Sequence, residues 1–141
     1  GVYIGGTGFA NKLDDYEEGT WTPVPRSDTT AITATVNGAT YTKIGRYVFV
    51  QGYITRNDAA SLSGQLNISG LPFNTQNGNA SANGSFWIDG TGTDEVCTGY
   101  FGAATSTVAL KKVGANSDYV SADQFQNNRP MYFSGAYMTA T

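Results

Sequence analysis

The stretch RYVFVQGYIT, residues 46–55, constrains this chain more than any other. Val48, Val50 and Ile54 share one parity, while Tyr47, Phe49, Gln51 and Tyr53 share the other. That period of two belongs to an extended strand, whose successive side chains point to opposite faces. Both faces are apolar, one aliphatic and one aromatic. Such a strand is expected to be covered twice, by a second sheet on one side and by a neighbouring subunit on the other. No window of the chain shows the three-and-four spacing of an amphipathic helix.

The same alternation recurs in shorter runs. AITATV (31–36) leads through Asn37-Gly38, a strong tight-turn dipeptide, into ATYTKI (39–44), and the two read as a hairpin. Gly45-Arg46 reads as a second turn. QLNIS (65–69), SFWID (85–89), EVCTGYF (95–101), STVALKKV (106–113) and MYFSGAYMTA (131–140) follow. Glycine- and asparagine-rich connections separate them, above all NTQNGNASANG (74–84). Roughly eight strands at spacings of about 8–12 residues predict an all-β chain, an antiparallel β-sandwich of jelly-roll type.

With 141 residues the chain fits one domain, and at that size roughly 68% of the unfolded surface can be buried without disulfides or metals. A single cysteine, Cys97, allows no internal disulfide and alternates with Val96 as a small buried thiol would. Only 13% of residues are charged, about half the usual share; Gly, Ser, Thr and Asn fill the difference. The net charge of −3 comes without any basic run, so the phosphate-neutralising footprint of a nucleic-acid partner is missing. No apolar run approaches the ~20 residues that span a bilayer, and no basic-then-apolar signal-peptide pattern is present. Histidine is absent. Any catalysis must therefore rest on carboxylates, Lys or Tyr, without a His base or a Ser-His-Asp relay. Neither cofactor nor metal is expected.

Charge is dense in one place, NKLDDYEEGTWTPV (11–24), where Asp14, Asp15, Glu17 and Glu18 precede Trp21. Adjacent acids on a strand project to opposite faces, whereas a glycosidase needs two carboxylates about 5–9.5 Å apart across a cleft. The acids also miss the calcium-loop pattern of alternating acids with a Gly at its turn. They read as a structural or solvated junction ahead of the first strand, with a cation site as the lesser reading. Trp21 reads as a core or interface anchor.

GVYIGGTGFANKLDDYEEGTWTPV, then ATYTKIGRYVFVQGYI, then LNISGLPF closely resemble, in that order, the C-terminal region of tail fibre and tailspike-like proteins of tailed bacteriophages. The resemblance covers residues 1 to about 73; residues 74–141 carry no matching motif. It implies a leader at residues 1–19, where a shaft ends, and a β-sandwich tip at residues 20–141. The chain opens on Gly1 in the manner of mid-protein sequence, so it is expected to be the C-terminal piece of something longer. The resemblance further implies a homotrimer, a place in the virion, and recognition of a bacterial surface polysaccharide or lipopolysaccharide through the variable second half.

In that half Trp87 leads the candidates. On SFWID, Phe86 and Ile88 take one face and Ser85, Trp87 and Asp89 the other, so a flat ring stands beside small polar groups. Sugars use such a face, with C–H groups stacked on the ring and hydroxyls bonded to amides or carboxylates. The competing reading buries Trp87 between subunits. Asp94 and Tyr100, then Asp118, Tyr119 and Gln124 in NSDYVSADQFQNN, are further candidates for hydroxyl contacts, against the bland reading of an ordinary polar loop. Lys111 and Lys112 read as solvated strand ends. The expected function is a non-catalytic carbohydrate-binding tip with Trp87, Asp89, Asp94, Tyr100, Tyr119 and Gln124 at its site. A structural trimerisation cap is the alternative. A glycan depolymerase is a distant third, because the variable half holds only Asp89, Asp94, Glu95, Asp118 and Asp123 as acids.

Overall fold

The computed structural model describes residues 2–8, 12–13, 15–78, 80–92, 94–114 and 118–140. Among them every regular element is a strand except one turn of 3₁₀ helix at Ala122–Gln124. β1 (Val2–Tyr3) and β2 (Lys12–Leu13) make a small antiparallel ribbon. The others are β3 (Tyr16–Thr20), β4 (Val24–Ser27), β5 (Thr30–Ala31), β6 (Ala34–Ile44), β7 (Tyr47–Arg56), β8 (Leu66–Ser69), β9 (Ser81–Ile88), β10 (Glu95–Phe101), β11 (Thr107–Lys112) and β12 (Pro130–Met138). They hydrogen-bond as one ten-stranded sheet in the order β3-β6-β7-β12-β9-β10-β11-β8-β4-β5. Every pairing is antiparallel. The all-β expectation holds.

Parity along each strand builds the core. Val48, Val50 and Ile54 of β7, Phe86 and Ile88 of β9, and Phe133 and Tyr137 of β12 point inward. They join Leu66 and Ile68 of β8 and Val108 and Leu110 of β11 in a single buried cluster. Strands far apart in the sheet order thus share one core, which requires the sheet to curl about its own inner face. Gly52 makes room for this: a Cβ there would lie 2.1 Å from Cζ of Phe133, the residue directly opposite on β12. Trp21 is the expected core anchor, edge-on to Phe133 with ring centroids 6.0 Å apart.

Two expectations are corrected. Asn37-Gly38 is not a hairpin turn, for β6 runs through it as one strand. The pairing with β7 steps from Val36↔Ile54 to Gly38↔Tyr53, so Asn37 is the extra residue of a bulge. Its side-chain oxygen accepts a hydrogen bond from Thr55 Oγ1 at 2.8 Å. Asn-Gly suits a bulge as well as a turn, and continuous pairing with β7 on both sides outweighs the local turn preference. The chain reverses instead at Gly45-Arg46, as expected, with Gly45 at φ +59°.

The second correction concerns the acid cluster. Residues 16–20, read as lying ahead of the first strand, form the edge strand β3, paired with β6 from Tyr16↔Ile44 to Thr20↔Thr40. Asp15 and Glu17 reach the ammonium of Lys43, which is only 3% exposed; Asp15 touches it and Glu17 stands 3.7 Å away. A buried cation without a counter-charge is costly, so these carboxylates have a structural task. Glu18 accepts the Tyr16 hydroxyl at 2.9 Å. Asp14 lies outside the described residues. Among the described residues no three His, Cys, Asp or Glu side chains cluster closely enough to hold a metal.

Candidate functional site

Cross-strand register decides which outward side chains become neighbours. β7, β12 and β9 are consecutive, and Tyr53↔Tyr132 and Tyr132↔Trp87 are directly opposed pairs. Their rings form a ladder. Tyr53 and Tyr132 stack with centroids 4.7 Å apart and 18° between planes, Tyr132 and Trp87 at 5.3 Å and 24°. Trp87 keeps 41% of its surface exposed. Desolvation among the rings, then the Tyr53 hydroxyl and the Asp89 charge, raises the Tyr132 hydroxyl above the ordinary tyrosine range.

One step along the same strands the face turns polar. Gln51, Ser134 and Ser85 oppose one another, and Thr40 and Thr20 continue the row onto β6 and β3. Gln51, Ser85 and Ser134 with the three ladder rings line a shallow depression of about 430 Å³. Its floor is held from beneath: Trp21 Nε1 donates to the carbonyls of Thr40 and Gln51, both at 3.1 Å. On β9 two residues, Gly84 and Ser85, face the single Thr98 of β10, a bulge that keeps Ser85 and Trp87 outward. Gly84 lies at φ +86°, and a Cβ there would stand 2.3 Å from the Ser134 carbonyl oxygen. Beyond the bulge, the Asn83 amide replaces the missing strand pairing, bonding both the N–H and the carbonyl of Ala136.

The six residues singled out in the sequence fall into four places. Trp87 ends the ladder. Asp89 holds the guanidinium of Arg129, which also donates to the Gly90 carbonyl at 2.8 Å, and Asp94 accepts the Gly90 N–H at 3.2 Å; the two acids therefore tie down their own loop. Tyr100 and Tyr119 come together around Lys111, whose ammonium lies 5.4 and 4.7 Å from their ring centres. Lys111 is thus no simple solvated end, whereas Lys112 is exposed. Gln124 sits exposed on the 3₁₀ turn, its N–H bonded to the Ser121 carbonyl at 3.1 Å. Cys97 is buried as expected, its thiol pushed up to about 12 by burial and then by the Glu95 charge.

Tyr53, Tyr132, Gln51 and Ser134 were missed as partners of Trp87. Their outward parity was readable, since Tyr132 alternates with Met131 and Phe133. Which outward residues meet across strands was not. Comparison of the chain with protein-family models, with curated proteins and with solved structures returned no match.

Proposed function

We propose that this chain is the non-catalytic carbohydrate-binding tip of a phage tail fibre, a virion protein that recognises a bacterial surface polysaccharide or lipopolysaccharide. The observation that carries the reading is the exposed Tyr53–Tyr132–Trp87 ladder beside Gln51, Ser85 and Ser134. A sugar gains there by setting its C–H surface against apolar rings while its hydroxyls meet amide and hydroxyl groups. A contiguous, partly exposed aromatic patch supports reading this face as an interaction site. The motifs within residues 1–73 supply the biological setting. Asp89, whose charge acts on Tyr132 of the ladder, is engaged with Arg129, which favours binding over hydrolysis. Trp87 anchors the site, while Asp89, Asp94, Tyr100, Tyr119 and Gln124 stand outside the depression that the ladder lines.

In this proposal the curled sheet is a jelly-roll-like sandwich that works as a homotrimer. Tyr16, Ile44 and Tyr47, exposed in one row across β3, β6 and β7, supply the subunit contact. The same row favours the second reading, a structural trimerisation cap in which the ladder too lies between subunits. Trp87→Ala separates them. A stable assembly of unchanged mass that no longer binds host polysaccharide in calorimetry supports the binding tip. Loss of assembly mass in sedimentation, with the ladder variant unfolded or monomeric, supports the cap.

A further inference from the structure

Resting on that reading, we infer that the ligand is an uncharged, linear polysaccharide bound along its length, lying across the strands in the polar row beside the ladder. Thr20, Thr40, Gln51, Ser134 and Ser85 occupy that row on five consecutive strands, β3, β6, β7, β12 and β9. At about 4.8 Å per strand the row is about 19 Å long, several sugar units rather than one. All five side chains are exposed, and none makes a hydrogen bond to another described residue.

Three depressions follow one another along the row. The first, about 430 Å³, lies against the ladder and is floored by Gln51, Ser85 and Ser134. The second, about 410 Å³, shares Gln51 and Ser134 with it and adds Thr40, Thr42 and Phe49. The third, about 480 Å³, shares Thr40 and Thr42 and adds Thr20 and Glu18. Shared walls make them one trough. The ladder borders one side and Phe49, 48% exposed, the other. β3 is the sheet's edge, so the trough runs out there, and a chain can pass through without offering a terminal sugar.

Charge selects the class. Among the described residues the three linings contain no Lys or Arg, and their one carboxylate is Glu18 at the β3 end. An acidic sugar would meet that carboxylate with no counter-charge. Lys111, on the far side of β10, is already held between two tyrosine rings.

The test is binding of the intact chain to an array of linear oligosaccharides, neutral and uronic-acid-containing, from disaccharide to octasaccharide, with calorimetry on the strongest series. Binding is expected from neutral chains alone, with affinity rising at least ~10-fold between disaccharide and hexasaccharide. Gln51→Ala and Thr40→Val are each expected to lose about fivefold, one hydrogen bond's worth, with assembly mass and melting unchanged. Full affinity from a disaccharide, or preference for the acidic series, overturns the trough while leaving a glycan site standing. A silent array overturns both. If Gln51→Ala or Thr40→Val lowers the assembly mass, the row is a subunit contact and the inference fails.

Discussion

The outer face of the sheet divides into two halves that use the same residue types differently. On β3, β6, β7, β12 and β9 the outward hydroxyls and amides of the central row make no bonds to other described residues, and the ladder rings are bare. On β10, β11, β8 and β4 comparable groups are turned on one another. Arg26 Nε donates to Ser69 Oγ at 2.7 Å, the Asn67 amide donates to the Asp28 carbonyl at 3.2 Å, and Thr98 Oγ1 donates to the Gly84 carbonyl at 3.3 Å. Lys111 is clamped by its two tyrosines. A group already satisfied must break a bond before it can take a ligand, which cancels most of the gain. On the proposed reading, availability of polar groups, more than their number, separates the recognition surface from the finished one.

The largest expected effect comes from removing what the open half stands on. Trp21→Ala deletes a buried ring and the donor to the Thr40 and Gln51 carbonyls. A loss of about 3–5 kcal/mol is expected in denaturant unfolding. A loss below about 1 kcal/mol, the scale of an ordinary surface change, would show that the trough floor is held by other means. Trp87→Ala comes next. It should cost little stability, since the ring is largely outside the core, but about 2 kcal/mol of glycan affinity, roughly 30-fold, as a central aromatic anchor does. Equal binding by the variant breaks the contrast between the halves.

Smaller effects probe the finished half. Lys111→Ala removes a cation held between two rings at a half-exposed position, so about 0.5–1 kcal/mol of stability is expected to go, with glycan affinity unchanged. A binding defect equal to that of Trp87→Ala would extend the site across β10 and erase the division. The smallest effect concerns Cys97, on the buried face of the boundary strand β10. Its thiol, at about 12, stays protonated at pH 9, and only the thiolate reacts readily. Iodoacetamide should therefore leave it unmodified in the folded chain and label it after unfolding. Fast labelling in native buffer would reveal local opening between the halves.

How much of this was legible beforehand can be read from particular residues. Parity separated Val48, Val50 and Ile54 from Tyr47, Phe49, Gln51 and Tyr53, and Phe86 and Ile88 from Trp87, and in the fold the first set of each pair is buried while the second is exposed. Gly45-Arg46 was readable as a turn because its backbone demand is local. Asn37-Gly38 misled because a bulge and a turn share the same dipeptide preference, and only pairing on both flanks tells them apart. Asp89 looked available for a ligand because Arg129, forty residues away, gave no local sign of its partnership.

By itself, then, the sequence determined an antiparallel all-β chain, which side chains of its main strands share a face, and the absence of histidine chemistry. Each follows from backbone alternation or from composition, which are properties of neighbouring residues or of none. Only the tertiary structure decided that Trp87 stacks on Tyr132 and Tyr53 and that five polar side chains from distant segments fall into one row. Those neighbours depend on register, and the bulges at Asn37 and at Gly84-Ser85 each shift it by one residue. A shift of one exchanges the faces of everything beyond it.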